Sequence, residues 1–319
     1  MRVSAIYSIL AVFGLSKGHL LQIRLPKESH ELRHVDSETT LCTSIDVAET
    51  IYINKLSPIL TEDTNHITLV GVGLAGNYEF NKGHEVLSEC TNLKANASDS
   101  WQSGSNIEGQ VIETLYVTGQ KGRSLALPPG VAFEVGGSKA IKRLVMQVHF
   151  KPMKNWKSSN YEPVGLDVHY RLEEQPLKAG ILSLHAGGQI LPGARSFLEA
   201  SCSLDQEIWP LAFLGHTHDL GRTVSLWHVD RGQTKWSLLG TIDAHLPQTF
   251  RPVSHESRLH CSQEDILVVR CGYHNDTPNL VLTGSTRKDE MCAAYLLFYV
   301  HSKMPNSRPY CMGGQALIP

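Results

Sequence analysis

The 319-residue sequence has no surplus of positive charge. Lys and Arg number 29 against 31 Asp and Glu, a formal net charge of -2. Such a balance cannot neutralise a phosphate backbone, so nucleic-acid binding is not expected. Charged residues are scarce at 19% while apolar ones reach 41%, which excludes wholesale disorder and leaves material for a large core. No stretch reaches the eighteen or so uninterrupted apolar residues that a membrane span needs, so no membrane anchor is expected. Cys-x-x-Cys spacing is missing, which argues against a structural zinc cluster. Helix-period hydrophobic patterns of any length are also hard to find.

What is present begins with a compartment signal. Arg2 precedes a mostly apolar run from Val3 to Leu15, and Ser16-Lys17-Gly18 puts small residues at the -3 and -1 positions of a cleavage site. Residues 1–18 therefore read as a secretory signal peptide, implying secretion or a secretory-granule lumen. In an oxidising compartment, disulfides are the expected state of the seven cysteines, and the odd number leaves one over. Asn96-Ala97-Ser98 is a glycosylation acceptor motif. Asn275-Asp276-Thr277 is a weaker one, because Pro278 follows it directly.

Short β-rich runs bounded by Gly, Pro, Asn and Asp recur from His66 to Val72, Arg143 to Phe150, Leu166 to Leu172, Thr223 to Val229, Trp236 to Leu239, Ile266 to Gly272 and Tyr295 to Val300. Asp230 to Gln233 reads as a hairpin tip. The expectation is an all-β protein of antiparallel sandwiches or barrels. Its length suggests two domains or one large one, and the polar stretch from Lys151 to Pro163 is the candidate linker. Gly71 to Gly76 matches G-x-G-x-x-G, but loop-forming residues follow where a phosphate-binding helix must open, so it reads as a Gly-rich turn.

The histidines, sixteen in all, carry the chemistry. His216-Thr217-His218 has the i, i+2 spacing that puts two imidazoles on one face of a strand, close enough to share a metal ion. Two partly buried histidines bonded to backbone would give the same pattern. Met291 stands beside Cys292, and a thioether is a soft ligand that selects Cu(I), though a methionine near a bridge is also ordinary core filler. His66 and His149 fall on strand-like runs in the first half, where either could be a buried core histidine.

Taken together, five blocks in order resemble the copper type II, ascorbate-dependent monooxygenases, in particular their peptidylglycine alpha-hydroxylating branch. They are LPPGVAFEVGG at 127–137, MQVHF at 146–150, HTHDLG at 216–221, PQTFRPV at 247–253 and GSTRKDEMC at 284–292. The resemblance covers about residues 20–311. It implies two jelly-roll-like antiparallel β-sandwich domains, 19–155 and 156–319, each holding one copper and facing the other across a cleft. His216, His218 and Met291 match the ligands of the copper that activates dioxygen. His66 and His149 match two of three ligands of an electron-transfer copper, with Asn65 where the family has the third. Tyr295 and Gln147 match substrate-binding positions. Leu214, Thr40 and Ala293 replace the groups that hold a peptide's terminal carboxylate.

The same resemblance pairs Cys42 with Cys90, Cys202 with Cys311 and Cys271 with Cys292, leaving Cys261 over. The function it implies is hydroxylation of the α-carbon of a C-terminal glycine, using dioxygen and ascorbate, as the first step of peptide amidation. Glycine-extended peptides would be substrates, and a separate amidating lyase would complete the reaction. The alternative is a catalytically impaired copper- or peptide-binding relative of the same fold.

Overall fold

The computed structural model describes residues 18–27, 38–73, 86–87, 111–119, 121–152, 163–254, 260–284, 289–301 and 310–313. Their regular structure is β-strand with no α-helix, as the sequence pattern predicts. The signal-peptide residues up to 17, Cys90 and Asn96 lie outside the described residues.

A ten-stranded sheet runs in the order β1 (His19–Arg24), β10 (Gly165–Arg171), β3 (Ile51–Ile59), β8 (Val131–Val135), β11 (Leu177–Ala186), β20 (Cys292–Val300), β14 (Trp209–His216), β17 (Arg251–Pro252). In the same sheet β7 (Leu125–Ala126) pairs with β3 and β21 (Tyr310–Gly313) with β11. A five-stranded sheet follows the order β5 (Val86–Leu87), β2 (Thr39–Asp46), β9 (Arg143–Phe150), β4 (Thr64–Gly73), β6 (Val111–Thr118). A four-stranded sheet contains β13 (Arg195–Ser203), β18 (Ile266–His274), β15 (Gly221–Val229) and β16 (Trp236–Asp243), while β12 (Gln189–Ile190) pairs with β19 (Val281–Leu282). Among the described strands, pairing is antiparallel except where β11 meets β8 and β21.

Two hydrophobic cores lie against the long sheet. The first joins it to the five-stranded sheet through side chains such as Leu41, Ile53, Ile67, Phe133, Met146 and Leu166. The second joins it to the four-stranded sheet through Leu184, Leu198, Phe213, Leu226, Val269 and Leu296. Strands at the middle of these layers are covered on both faces, which is why β9 and β20 read as nearly continuous apolar runs. At β15 only one face is covered, so Val224 and Leu226 point inward while Ser225 and Trp227 are more exposed. Strand β10, which follows the polar 151–163 stretch, returns to the first core with Leu166 and Val168.

One expectation is corrected. Gly71 to Gly73 do not turn but continue β4, and 74–76 lie outside the described residues. Gly71 is needed for contact rather than for a bend: a Cβ there would sit 2.7 Å from the Ile141 side chain. The hairpin tip is present, with Gln233 at φ 56° and its N–H donating to the Asp230 carbonyl.

The Cys271–Cys292 bridge forms, with Cα atoms 5.7 Å apart. Cys42 and Cys202 are also disulfide-bonded, while Cys261 is free and buried. Burial, with the Asp265 carboxylate nearby, pushes the Cys261 thiol up to about 12. Only the thiolate attacks alkylating reagents. The folded protein is therefore expected to resist iodoacetamide at about pH 8 and to show one reactive thiol after denaturation without reductant. Mass spectrometry of the alkylated chain checks this, and native labelling at Cys261 would contradict it.

Candidate metal centre

The first pair of histidines comes from neighbouring strands. His66 on β4 lies opposite His149 on β9, and the two rings stack with centroids 3.9 Å apart and planes 20° apart. Thr40 on β2 is the next residue across, and its Oγ1 lies 3.1 Å from His149 Nδ1. The i, i+2 alternation of β9 puts Gln147 on the same face as His149.

His216 is the last residue of β14, and His218 lies just past the strand end, so the expected shared strand face becomes a strand end and a turn. Their rings meet edge to face, centroids 5.2 Å apart. Two glycines make this local path possible. A Cβ on Gly215 would lie 2.6 Å from Val224 Cβ, and one on Gly221 would lie 2.0 Å from Thr217 Oγ1. The turn closes with the Gly221 N–H donating to the His218 carbonyl.

Both imidazoles are oriented by a fixed acceptor. His216 Nδ1 lies 2.7 Å from Gln248 Oε1, and His218 Nδ1 lies 2.9 Å from the Asp289 carbonyl. A proton held on Nδ1 by each acceptor leaves Nε2 carrying the lone pair, which is how metal-binding histidines are usually set. Glu290 is buried, and its carboxylate accepts the backbone N–H groups of His218, Leu220 and Met291 at 3.0, 2.6 and 3.3 Å. Burial raises its pKa, and these hydrogen bonds oppose the rise. The Met291 carbonyl accepts the Tyr273 hydroxyl at 2.7 Å, and the Cys271–Cys292 bridge ties the next residue to the same strand.

The two histidine pairs meet. His66 and His216 have ring centroids 6.1 Å apart, so the halves contribute to one site. A cavity of about 390 Å³ is lined by Asn65, His66, His149, His216, His218 and Gln248. A second, of about 190 Å³, adds Gln147, His185, Met291 and Tyr295 to the same four histidines. All seven sequence-predicted ligand and substrate residues thus line this second cavity. Among the described residues, no three His, Cys, Asp or Glu side chains converge on a single point as they stand.

The donor set nevertheless suits copper. His216 and His218 are pre-oriented through their outer hydrogen bonds, and a thioether stands at the same cavity. His66 and His149 face each other ring to ring rather than toward a common ion. Leu214, Ala293 and Thr40 give no charged group; Leu214 and Ala293 are buried in the sheet.

Three residues that sequence reasoning missed belong here: Gln248, Glu290 and His185. Gln248 stood inside a recognised block and Glu290 beside Met291, but neither had a partner visible in sequence. His185 on β11 lies opposite Ala293, which lies opposite His216 on β14, so the two imidazoles flank one small side chain on a shared face. His185 also meets the Tyr295 ring edge-on, with centroids 5.7 Å apart.

Comparison with known proteins adds a likeness over the second half of the chain and a wider one to longer relatives. Residues 177–314 match the copper type II ascorbate-dependent monooxygenase C-terminal domain. That stretch of the chain is similar to this family's C-terminal domain. It is 30% identical over 303 residues to peptidyl-glycine alpha-amidating monooxygenase B of Xenopus laevis, covering 93% of this chain and 32% of that protein. It is 28% identical over 297 residues to peptidylglycine alpha-amidating monooxygenase of Rattus norvegicus, covering 91% and 28% respectively. DBH-like monooxygenase protein 1 of Homo sapiens is 23% identical over 310 residues, 84% of this chain and 50% of that one. The chain thus spans about a third of the length of the amidating relatives.

Burial holds the central imidazoles neutral. It depresses His185 and His216 from 6.5 to about 4, and His66 well below 6.5, with neighbouring histidines adding to each shift. Between 6.5 and about 4 the unfolded chain binds more protons than the fold. Stability from these groups is therefore complete above 6.5 and is lost as pH falls toward 4. Scanning calorimetry of the metal-free protein should show Tm falling from about pH 7 to about pH 5, and less so when His185 is replaced by Leu. A Tm that rises on acidification would contradict the burial of these rings.

Proposed function

We propose that the protein is a copper- and ascorbate-dependent monooxygenase of the secretory pathway that hydroxylates the α-carbon of a C-terminal glycine in peptides, the first step of amidation. The single observation that carries this reading is the shared cavity. His216 and His218, each with Nδ1 fixed by an acceptor, face Met291, Tyr295 and Gln147 across about 190 Å³. The amidating relatives are peptidyl-glycine monooxygenases by name, and that likeness supports the substrate class.

In this reading His216, His218 and Met291 hold one copper, and His66 and His149 hold another. Copper supplies one-electron redox chemistry and the activation of dioxygen when bound there. The residues do the rest. Gln248 and the Asp289 carbonyl keep the Nδ1 protons in place, so each imidazole offers Nε2. Gln147 and Tyr295 present neutral hydrogen-bonding groups to a peptide end entering the cavity. Burial pushes the Tyr295 hydroxyl up to about 12, so it stays a donor at neutral pH. The approach of His66 to His216 makes the electron path between the halves short. The Cys271–Cys292 bridge supports an oxidising compartment.

A second reading keeps the fold without turnover, as a copper- or peptide-binding relative. It is favoured by Asn65 at a ligand position and by the ring-to-ring stacking of His66 and His149.

Assay of the copper-loaded protein on a glycine-extended peptide with ascorbate separates the two. Hydroxylated product is expected, with Met291→Ile losing at least about 100-fold in rate while its far-UV spectrum is unchanged. A fully active Met291→Ile protein would sink the ligand role. An inert wild type that gains turnover in Asn65→His would favour the second reading.

A further inference from the structure

His218 and Met291 lie 73 residues apart by number, and their side chains must present themselves to one point for the reading above to hold. Imidazole binds copper strongly, whereas a thioether is a weak ligand that cannot pull a loop into place. A weak donor contributes only if the backbone that bears it is already positioned. The structure contains one group that reaches both segments. The Glu290 carboxylate accepts through Oε2 from the N–H of His218 and of Met291, and through Oε1 from the N–H of Leu220. Its own backbone is held as well, its N–H donating to the Leu282 carbonyl and its carbonyl accepting from Gly284. The preceding carbonyl, on Asp289, orients the His218 ring. The turn carrying His218 is thereby fastened to the strand start carrying Met291 at both backbone and side chain.

A buried carboxylate is costly unless such bonds satisfy it, so the arrangement is not explained by generic packing. A purely structural clamp would serve equally well anywhere along β14 and β20, yet this one sits between the two metal-facing residues.

We infer that Glu290 is a positioning residue, which locks the turn bearing His218 to the strand start bearing Met291 so that the thioether stands ready at the metal. The inference rests on the copper reading above and adds a residue to it.

The test is Glu290→Gln, which keeps the shape but replaces one acceptor oxygen with a donor facing N–H groups. X-ray absorption of the Cu(I)-loaded protein is expected to lose the copper–sulfur contribution, and Cu(I) affinity to fall about 10- to 100-fold, in a protein that still melts cooperatively. A folded Glu290→Gln protein that keeps the copper–sulfur signal and full affinity overturns the inference.

Amide hydrogen exchange of the metal-free wild type decides the matter even if that variant fails to fold. The N–H groups of His218, Leu220 and Met291 should open together as one unit. Independent exchange at the three would overturn the inference. A wild type showing no copper–sulfur signal, but with the three amides opening together, would instead remove the copper reading and leave the clamp.

Discussion

Because β20 is hydrogen-bonded on both sides, to β11 and to β14, its register determines where most of the site stands. Ala293 falls between His185 and His216, and Tyr295 falls between Ser183 and Leu214, so one face of three strands becomes one wall of the cavity. A slip of one residue would turn that whole set into the second core. Two features resist a slip. The Cys271–Cys292 bridge pins the first residue of β20 to β18, and the β20 side chains facing the second core, among them Ala294, Leu296 and Phe298, are buried. The opposite wall is set the same way, by His66, His149 and Thr40 in register across β4, β9 and β2.

What the sequence makes legible follows from local patterning. Strands such as Arg143–Phe150 announce themselves through apolar, β-branched composition, and the short spacing of His216 and His218 survives folding because neighbours in sequence stay neighbours in space. The family blocks add Met291, Tyr295 and Gln147, all of which reach the cavity. Glu290 is harder to see. In sequence it is one charge in a charged run, Arg287 to Glu290, and only the fold shows it buried, accepting from two amides of a distant turn and from that of its neighbour Met291. His185 is hidden for a related reason: its meaning comes from the residue two strands away. Asn275 shows the converse. It carries a glycosylation motif, but its amide is buried and committed to the Ile190 and Asn279 carbonyls, so the motif is not available at the surface.

The site is polar in composition and nearly uncharged in state. Five histidines, two glutamines, a tyrosine and a thioether share a space in which desolvation drives His66, His185 and His216 neutral. Neutral imidazole is the form that binds a metal, so burial prepares His66 and His216 without a proton having to leave at physiological pH. Of the positions singled out as replacements in the sequence, Asn65 lines the cavity beside the first pair, Thr40 contacts His149, and Leu214 and Ala293 lie on the β14–β20 wall with Tyr295. They leave the His216, His218 and Met291 set whole.

The central claim is that His216, His218 and Met291 form a copper site and that His66 and His149 form another. Metal analysis after reconstitution with excess copper and dialysis tests it most directly. The account requires two coppers per chain in the wild type, and one in a His216→Ala, Met291→Ile double variant that remains folded. A wild type that retains no copper, or a double variant whose copper content is unchanged, would contradict it.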